Sequence, residues 1–365
     1  MAHSHEDRHH EDLHDELRSV ASDVLAKDTE TAWPVLIQTG WVELEAPENL
    51  DGAGATFREV AIILEEMGRA ATASAYLGSA VLAVATLNTL QANASRDDLV
   101  REVVSGAVRP AAVLTVDHGS CAARVPFVIH HTGDGPRLHG RSVFVPDAGD
   151  ADRLLLLARD PAGTLVIVNA AAHTSGLAVA PQPVLDETRR LATVTADGVE
   201  VDEMWRFDGD AYAAVDRLMQ RASVAVACDS LGISEAMLAA TVSYVGMRHQ
   251  FGRAIGSFQA VKHACADMYV QNAVARQLVS AAVQAVAAGS PDAGVAAAMA
   301  KSYACRSAVE VAGKAMQLHG GIGYTWESGI HAYLKRAALN RSLFGSPAAH
   351  RHQLAQRYVQ ETKEI

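Results

Sequence analysis

The chain has 365 residues, a formal charge of −11, 49% hydrophobic and 20% charged residues, and a sequence pI near 5.8. That length exceeds the roughly 100–200 residues of one core and predicts two or three packed domains. The apolar content excludes global disorder, no uninterrupted apolar run approaches the ~20 residues of a membrane span, and scattered Lys and Arg offer no basic face to nucleic acid.

Residues 1–18 interleave His3, His5, His9, His10 and His14 with Glu6, Asp7, Glu11, Asp12, Asp15 and Glu16, which predicts a flexible, solvated N-terminus. The pairs His5/His9 and His10/His14 have a spacing that could clamp a transition metal if this stretch were helical, although solvated histidines are the ordinary reading. Over residues 19–109 apolar residues recur at three and four, as in Ala61, Ile62, Leu64 and Met67, predicting a helical domain with breaks at 47–54 and at Gly68. Residues 110–206 change texture: short apolar runs (113–116, 125–129, 142–145, 154–157, 165–168) alternate with Gly, Asp and Pro, predicting a small β domain. The helical period returns over 207–365, where Ser290-Pro291-Asp292 reads as the start of a helix reaching about Met316, so this part is expected to be a bundle of long helices. Cys121, Cys228, Cys265 and Cys305 form no CxxC pair, so neither a disulfide framework nor a zinc ribbon is expected. Without a recognisable signal peptide, a reducing cytoplasm is the expected compartment. Cys228, Cys265 and Cys305 read as small core residues, and His118, His130, His131, His263, His319 and His331 as hydrogen-bonded or surface groups, with His263 facing the bundle.

Two segments carry chemistry. Arg248-His249-Gln250-Phe251-Gly252-Arg253-Ala254-Ile255-Gly256-Ser257-Phe258-Gln259 lies where one long helix should stop and the next begin. Its glycines allow backbone to approach a ligand, its arginine offers a fork for phosphate oxygens, and Phe251 and Phe258 offer faces for a flat ring. An ordinary glycine-punctuated turn is the equal alternative on spacing alone. Gln317-Leu318-His319-Gly320-Gly321-Ile322-Gly323-Tyr324 frees backbone N–H groups to face an anion, while Gln317 can bond through both ends of its amide; a plain helix C-cap explains the same residues.

Together, in this order and within an α–β–α chain, the segments resemble the acyl-CoA dehydrogenase family of flavoproteins. Arg248, Phe251, Gly252, Ile255, Gly256 and Gln259 match the family pattern RxxFGxxIGxxQ, and Gln317, Gly320, Gly321, Gly323 and Tyr324 match QxxGGxGY. Pro47-Glu48 with Gly52 and Gly54, and Glu65-Glu66-Met67-Gly68-Arg69, add similarity in the N-terminal part. The resemblance implies a helical domain, a central β barrel or sandwich and a C-terminal four-helix bundle, assembled as a dimer of dimers. It also implies an acyl-CoA substrate, FAD across a subunit interface, and an electron-transfer flavoprotein as acceptor. Carried over residue by residue, Arg248 would pair with the FAD pyrophosphate, Phe251, Ile255 and Phe258 would line its adenosine end, and Gln317 and Gly321 would bond it.

The family pattern breaks at the base. Dehydrogenation removes an α-proton to a carboxylate while a hydride leaves for the flavin. In most members that carboxylate is the glutamate of an EG pair, a place taken here by Phe344-Gly345; in others it stands on the helix before RxxFG, a place that falls on Ala222. Asp229 is the nearest acid on that helix, with Glu235 next. The TEPxAGSD loop is reduced to Thr115-Val116-Asp117-His118-Gly119-Ser120, and the WITN strand to Phe144-Val145-Pro146-Asp147. The expectation is therefore a subunit that completes the FAD site of a paralogous partner and lacks its own base, as in the heterotetrameric two-gene enzymes of actinobacterial steroid side-chain breakdown. The alternatives are a homomeric enzyme with a relocated base (Asp117, Asp229 or Glu327) and a non-catalytic scaffold.

Overall fold

The computed structural model describes residues 5–115, 124–133 and 135–361. The N-terminal helices are α1 (His5–Leu25), α2 (Trp33–Gln38), α3 (Phe57–Ala70), α4 (Ala85–Asn88) and α5 (Ala94–Val104), with Tyr76–Val84 wound as a π-helix into α4. The stretch expected to be a solvated tail is thus helical from His5. Its later turns are held in place: His14 Nε2 meets Glu59 Oε1 at 2.6 Å, and Arg18 reaches Glu65 at 3.1 Å. Among the described residues no group of His, Cys, Asp and Glu has metal-holding geometry.

Helix α3 starts in a capping box, Thr56 Oγ1 accepting from the Arg58 N–H while Glu59 accepts from the Thr56 N–H. Gly68, expected to break this segment, lies inside α3. A Cβ there would stand 2.0 Å from the Asp229 carbonyl, and one on Gly232 would stand 1.9 Å from the Glu65 carbonyl. The two glycines let two helices cross backbone to backbone.

Strands β1 (Glu30–Thr31) and β2 (Ala73–Ser74) pair in parallel apart from the main sheet. That sheet comprises β3 (Pro110–Val113), β4 (Phe127–Thr132), β5 (Gly135–Pro146), β6 (Arg153–Arg159), β7 (Leu165–Ala171), β8 (Leu177–Pro181), β9 (Leu191–Glu200) and β10 (Met204–Arg206). Its order is β10-β7-β6-β4-β5-β9-β8, with β3 also on β6. Alternate residues of β6 and β7 serve two cores: Leu155, Leu157 and Ile167 pack towards the helices, Leu154, Leu156 and Val168 within the sheet's own interior.

The C-terminal part holds α6 (Ala211–Met247), the hairpin β11 (His249–Gln250) and β12 (Arg253–Ala254), then α7 (Gln259–Ala287), α8 (Ala293–His319), α9 (Ile330–Ser342) and α10 (Pro347–Glu361). Helix α8 starts later than the Ser290 signal, which instead shapes the preceding turn by accepting from the Asp292 N–H at 3.2 Å. Helix α6 is long and apolar enough to cross a bilayer, but 72% of its most apolar window is buried inside the fold. Its apolarity serves the core, where Ala222, Val224, Ala225, Val226 and Leu231 pack with helices on either side. His263, expected to face the bundle, is exposed: α7 packs through Met268, Asn272, Ala275, Val279 and Ala282. Cys228 and Cys305 are core residues as expected, and Cys265 is only half-buried.

Candidate functional site

The first motif is a β-hairpin with a two-residue tip. His249 pairs with Ala254 and Gln250 with Arg253, leaving Phe251 (φ +52°) and Gly252 (φ +75°) between them. Positive φ at both central residues is what a type I′ turn requires, and a bulky residue there is strained by roughly 1–3 kcal/mol. Phe251 is nevertheless 91% exposed. Arg248, exposed at the end of α6, donates its N–H to the Tyr244 carbonyl at 2.9 Å and accepts from the Ile255 N–H at 2.8 Å. Arg253, which sequence reasoning did not single out, lies 4.1 Å from the Phe258 ring, so one face of that ring is already covered.

The second motif ends α8. Gln317 and Gly321 are exposed. A Cβ on Gly321 would meet nothing described within 4 Å, whereas one on Gly323 would stand 2.6 Å from the Met316 carbonyl. Internal packing thus explains Gly323 but not Gly321. The motifs lie side by side, because Tyr244 of α6 stacks on His319 of α8 at 4.4 Å and 23°. Around them Met247, Ile322, Tyr324 and Trp326 are 48–72% exposed.

The two expected base positions also converge, at the junction of sheet, N-terminal helices and bundle. Ser223, next to Ala222, donates to the Phe344 carbonyl at 3.3 Å, and His350 Nε2 donates to the same oxygen at 2.9 Å. Ala222 is fully buried and Phe344 only 2% exposed, in left-handed backbone at φ +54°. Phe344 helps line a cavity with Leu82, Leu114, Thr115, Ser142 and Pro146 that measures about 10 Å³, room for at most one water. Among the described residues no carboxylate borders it. Beside it β5 bulges between Ser142 and Val145, with Phe144 at φ +55°, and Asp147, just past its end, stands at φ +60°. Asp147 is buried, which pushes its carboxyl up to about 6, although the Gly78 N–H donates to it at 2.7 Å and Arg189 and Arg109 favour its charge. Burial likewise brings His350 down to about 4.

Asp229 is not a base in waiting. Arg336 donates to both of its oxygens, Asn340 Nδ2 donates at 2.6 Å, and Arg189 Nη2 stands 3.0 Å away. Burial would raise its pKa, but Arg336 and Arg189 override that and hold it at about 2. Glu235 is paired with Arg69 and Arg276. Exposed Glu327 precedes α9 while Phe344 follows it, a separation of roughly 20 Å at helical rise. Asp117 lies outside the described residues.

For FAD, the residues divide. The exposed donors Arg248 and Gln317, with the unobstructed Gly321, fit a dinucleotide approaching from outside. Among the described residues the cavity at Phe344, about 10 Å³, does not fit a flavin ring.

Two family models match the chain: "Acyl-CoA dehydrogenase, N-terminal domain" over residues 7–107 and "Acyl-CoA dehydrogenase, C-terminal domain" over residues 211–359. Acyl-CoA dehydrogenase IpdE2 of Mycobacterium tuberculosis is 32% identical over 319 residues, covering 87% of this chain and 83% of that protein. Among solved structures, a variant of the Tcur3481-Tcur3483 steroid ACAD superposes with a TM-score of 0.83 at 27% identity, covering 96% of this chain and 99% of that one. The ChsE4-ChsE5 complex from Mycobacterium tuberculosis shares the fold, with a TM-score of 0.82 at 24% identity over 98% of both chains.

Proposed function

The chain belongs to the acyl-CoA dehydrogenase family, and from that premise we propose that it is the FAD-completing subunit of a heteromeric enzyme whose catalytic carboxylate sits on a paralogous partner. In this reading Arg248 pairs with the pyrophosphate of the partner's FAD, Gln317 and the Gly321 backbone bond it, and Phe251, Ile255 and Phe258 border its adenosine end. Bound FAD supplies hydride acceptance for α,β-dehydrogenation of an acyl-CoA thioester, and an electron-transfer flavoprotein is the implied acceptor.

The observation that carries the reading is the cavity of about 10 Å³ at Phe344. Ligand pockets run to roughly 300–1,000 Å³, so among the described residues the cavity at Phe344 has no room for a thioester beside a flavin, and Phe344 and Ala222 cannot take a proton. The exposed, strained Phe251 supports the other half, since its ring meets only the edge of Phe258 among the described residues and a neighbouring subunit would account for the rest of the cost. The heteromeric naming of two structural relatives agrees with this arrangement. A steroid-derived acyl group is the substrate class those relatives suggest.

The test is a spectrum. Expressed alone, the chain is expected to be colourless and inactive; purified with its adjacently encoded homologue, it is expected to carry one flavin per heterodimer. Stoichiometric FAD and acyl-CoA turnover by the isolated chain would overturn the proposal.

A further inference from the structure

Arg248 and Gln317 are 69 positions apart and sit on different helices, so a dinucleotide held by both needs something to fix their spacing. Arg248 leaves α6 at its last turn, where helices fray. Its N–H is bonded to the carbonyl of Tyr244, and the Tyr244 ring lies against His319. His319 is itself fixed. It is 7% exposed, and its Nδ1 donates to the Ala315 carbonyl at 2.8 Å on the same helix. It stands two residues after Gln317 and two before Gly321. Below this level α6 and α8 pack through Ile233, Met237, Val311 and Ala315, while above it Met247 is 71% exposed. The stack therefore ties the two helices together at the level from which both motifs leave them.

On the reading above, that these segments hold FAD for a neighbouring subunit, we infer that Tyr244 and His319 are positioning residues that set the distance between the Arg248 and Gln317 halves of the grip. Neither has to touch the cofactor. Their effect is preorganisation: without the stack, the ordering of each loop is left to the binding event and weakens it.

The experiment uses the full-length tagged chain expressed in its own host, so that its natural partner joins it. The complex is stripped of flavin and titrated with FAD, with subunit mass and melting temperature followed in parallel. Tyr244→Ala and His319→Ala are each expected to weaken FAD binding about tenfold at unchanged subunit mass, the upper end of what an aromatic pair contributes. Tyr244→Phe, which keeps the ring, restores affinity, and the double variant loses no more than either single one because the two act as a pair. If an alanine variant fails to assemble, Tyr244→Leu, which fills most of the space without the ring, must show the same loss. If Arg248→Ala costs flavin while the Tyr244 and His319 variants change only the melting temperature, the positioning inference is overturned. If Arg248→Ala itself leaves FAD affinity unchanged, the shared-site reading falls instead.

Discussion

Phe251 and Phe344 adopt nearly the same left-handed backbone, φ +52° and +54°, in opposite surroundings. Phe344 is 2% exposed, and its carbonyl accepts from Ser223 and His350. Burial and hydrogen bonds made within the chain offset its strain. Phe251 is 91% exposed, and among the described residues its one ring contact is an edge-to-face pair with Phe258 at 6.2 Å. The same conformational cost is thus met internally in one region and left open in the other. The region around Phe344 is closed by its own packing, whereas the hairpin tip presents its strained ring to the outside.

The sharpest way to break this contrast is to disturb the closed region. Asp229→Asn leaves Arg336 and Arg189 buried beside a neutral group, and loss of one partner from such a network costs about 3–5 kcal/mol. Chemical denaturation is expected to show that loss in the isolated chain; a loss under about 1 kcal/mol would mean that the junction is solvated and the cavity able to open. The open region should respond in the other direction. Phe251→Gly relieves the left-handed strain, so the isolated chain is expected to gain about 1 kcal/mol while the assembled complex retains less flavin. A variant that loses stability alone would show the hairpin to be self-sufficient.

The smallest effect on the natural protein concerns pH, because two groups oppose each other. Asp147 has its pKa raised to about 6, so its contribution to stability is full below about pH 4 and is lost as pH rises through 6. His350 is lowered to about 4, so its contribution is full above about pH 6.5 and is lost as pH falls through 4. The two slopes oppose each other between pH 4 and 6.5, and the natural protein is expected to show a shallow profile there. Asp147→Asn should unmask a decline on acidification, and His350→Gln a rise. Parallel profiles for all three proteins would show that neither group is as buried as the fold places it.

Much of the fold was legible from local pattern. Three- and four-residue apolar spacing marked the helices on either side of residues 110–206, and short β-branched runs marked the strands between them. The glycine-bearing motifs at 248–259 and 317–324 were visible because their chemistry is carried by contiguous residues. Other features were hidden for identifiable reasons. The first turns of His5–Leu25 carry almost no apolar residue, and the helix is anchored further on, by Ala21 and Leu25 in the core and by Arg18 with Glu65, contacts that no window of neighbouring residues contains. Gly68 looked like a breaker, because close approach to Asp229 is invisible without the partner helix. Tyr244 and His319 were each ordinary until the fold stacked them. Closeness in the sequence, four residues before Arg248 and two after Gln317, was the only trace of their role.

By itself the sequence determined which chemical groups this protein has and lacks: an arginine and an amide on glycine-bearing turns, and no carboxylate at Phe344 or Ala222. Residue identity is a local property, so these needed no coordinates. Only the tertiary structure decided that Ser223 and Phe344, 121 positions apart, are joined by a hydrogen bond, that Phe344 borders a cavity of about 10 Å³, and that Asp229 is locked by Arg336 and Arg189. Proximity, burial and a shifted pKa arise from the packing of distant segments against one another, and that packing is what separates an acid that could act as a base from one that holds three parts of the molecule together.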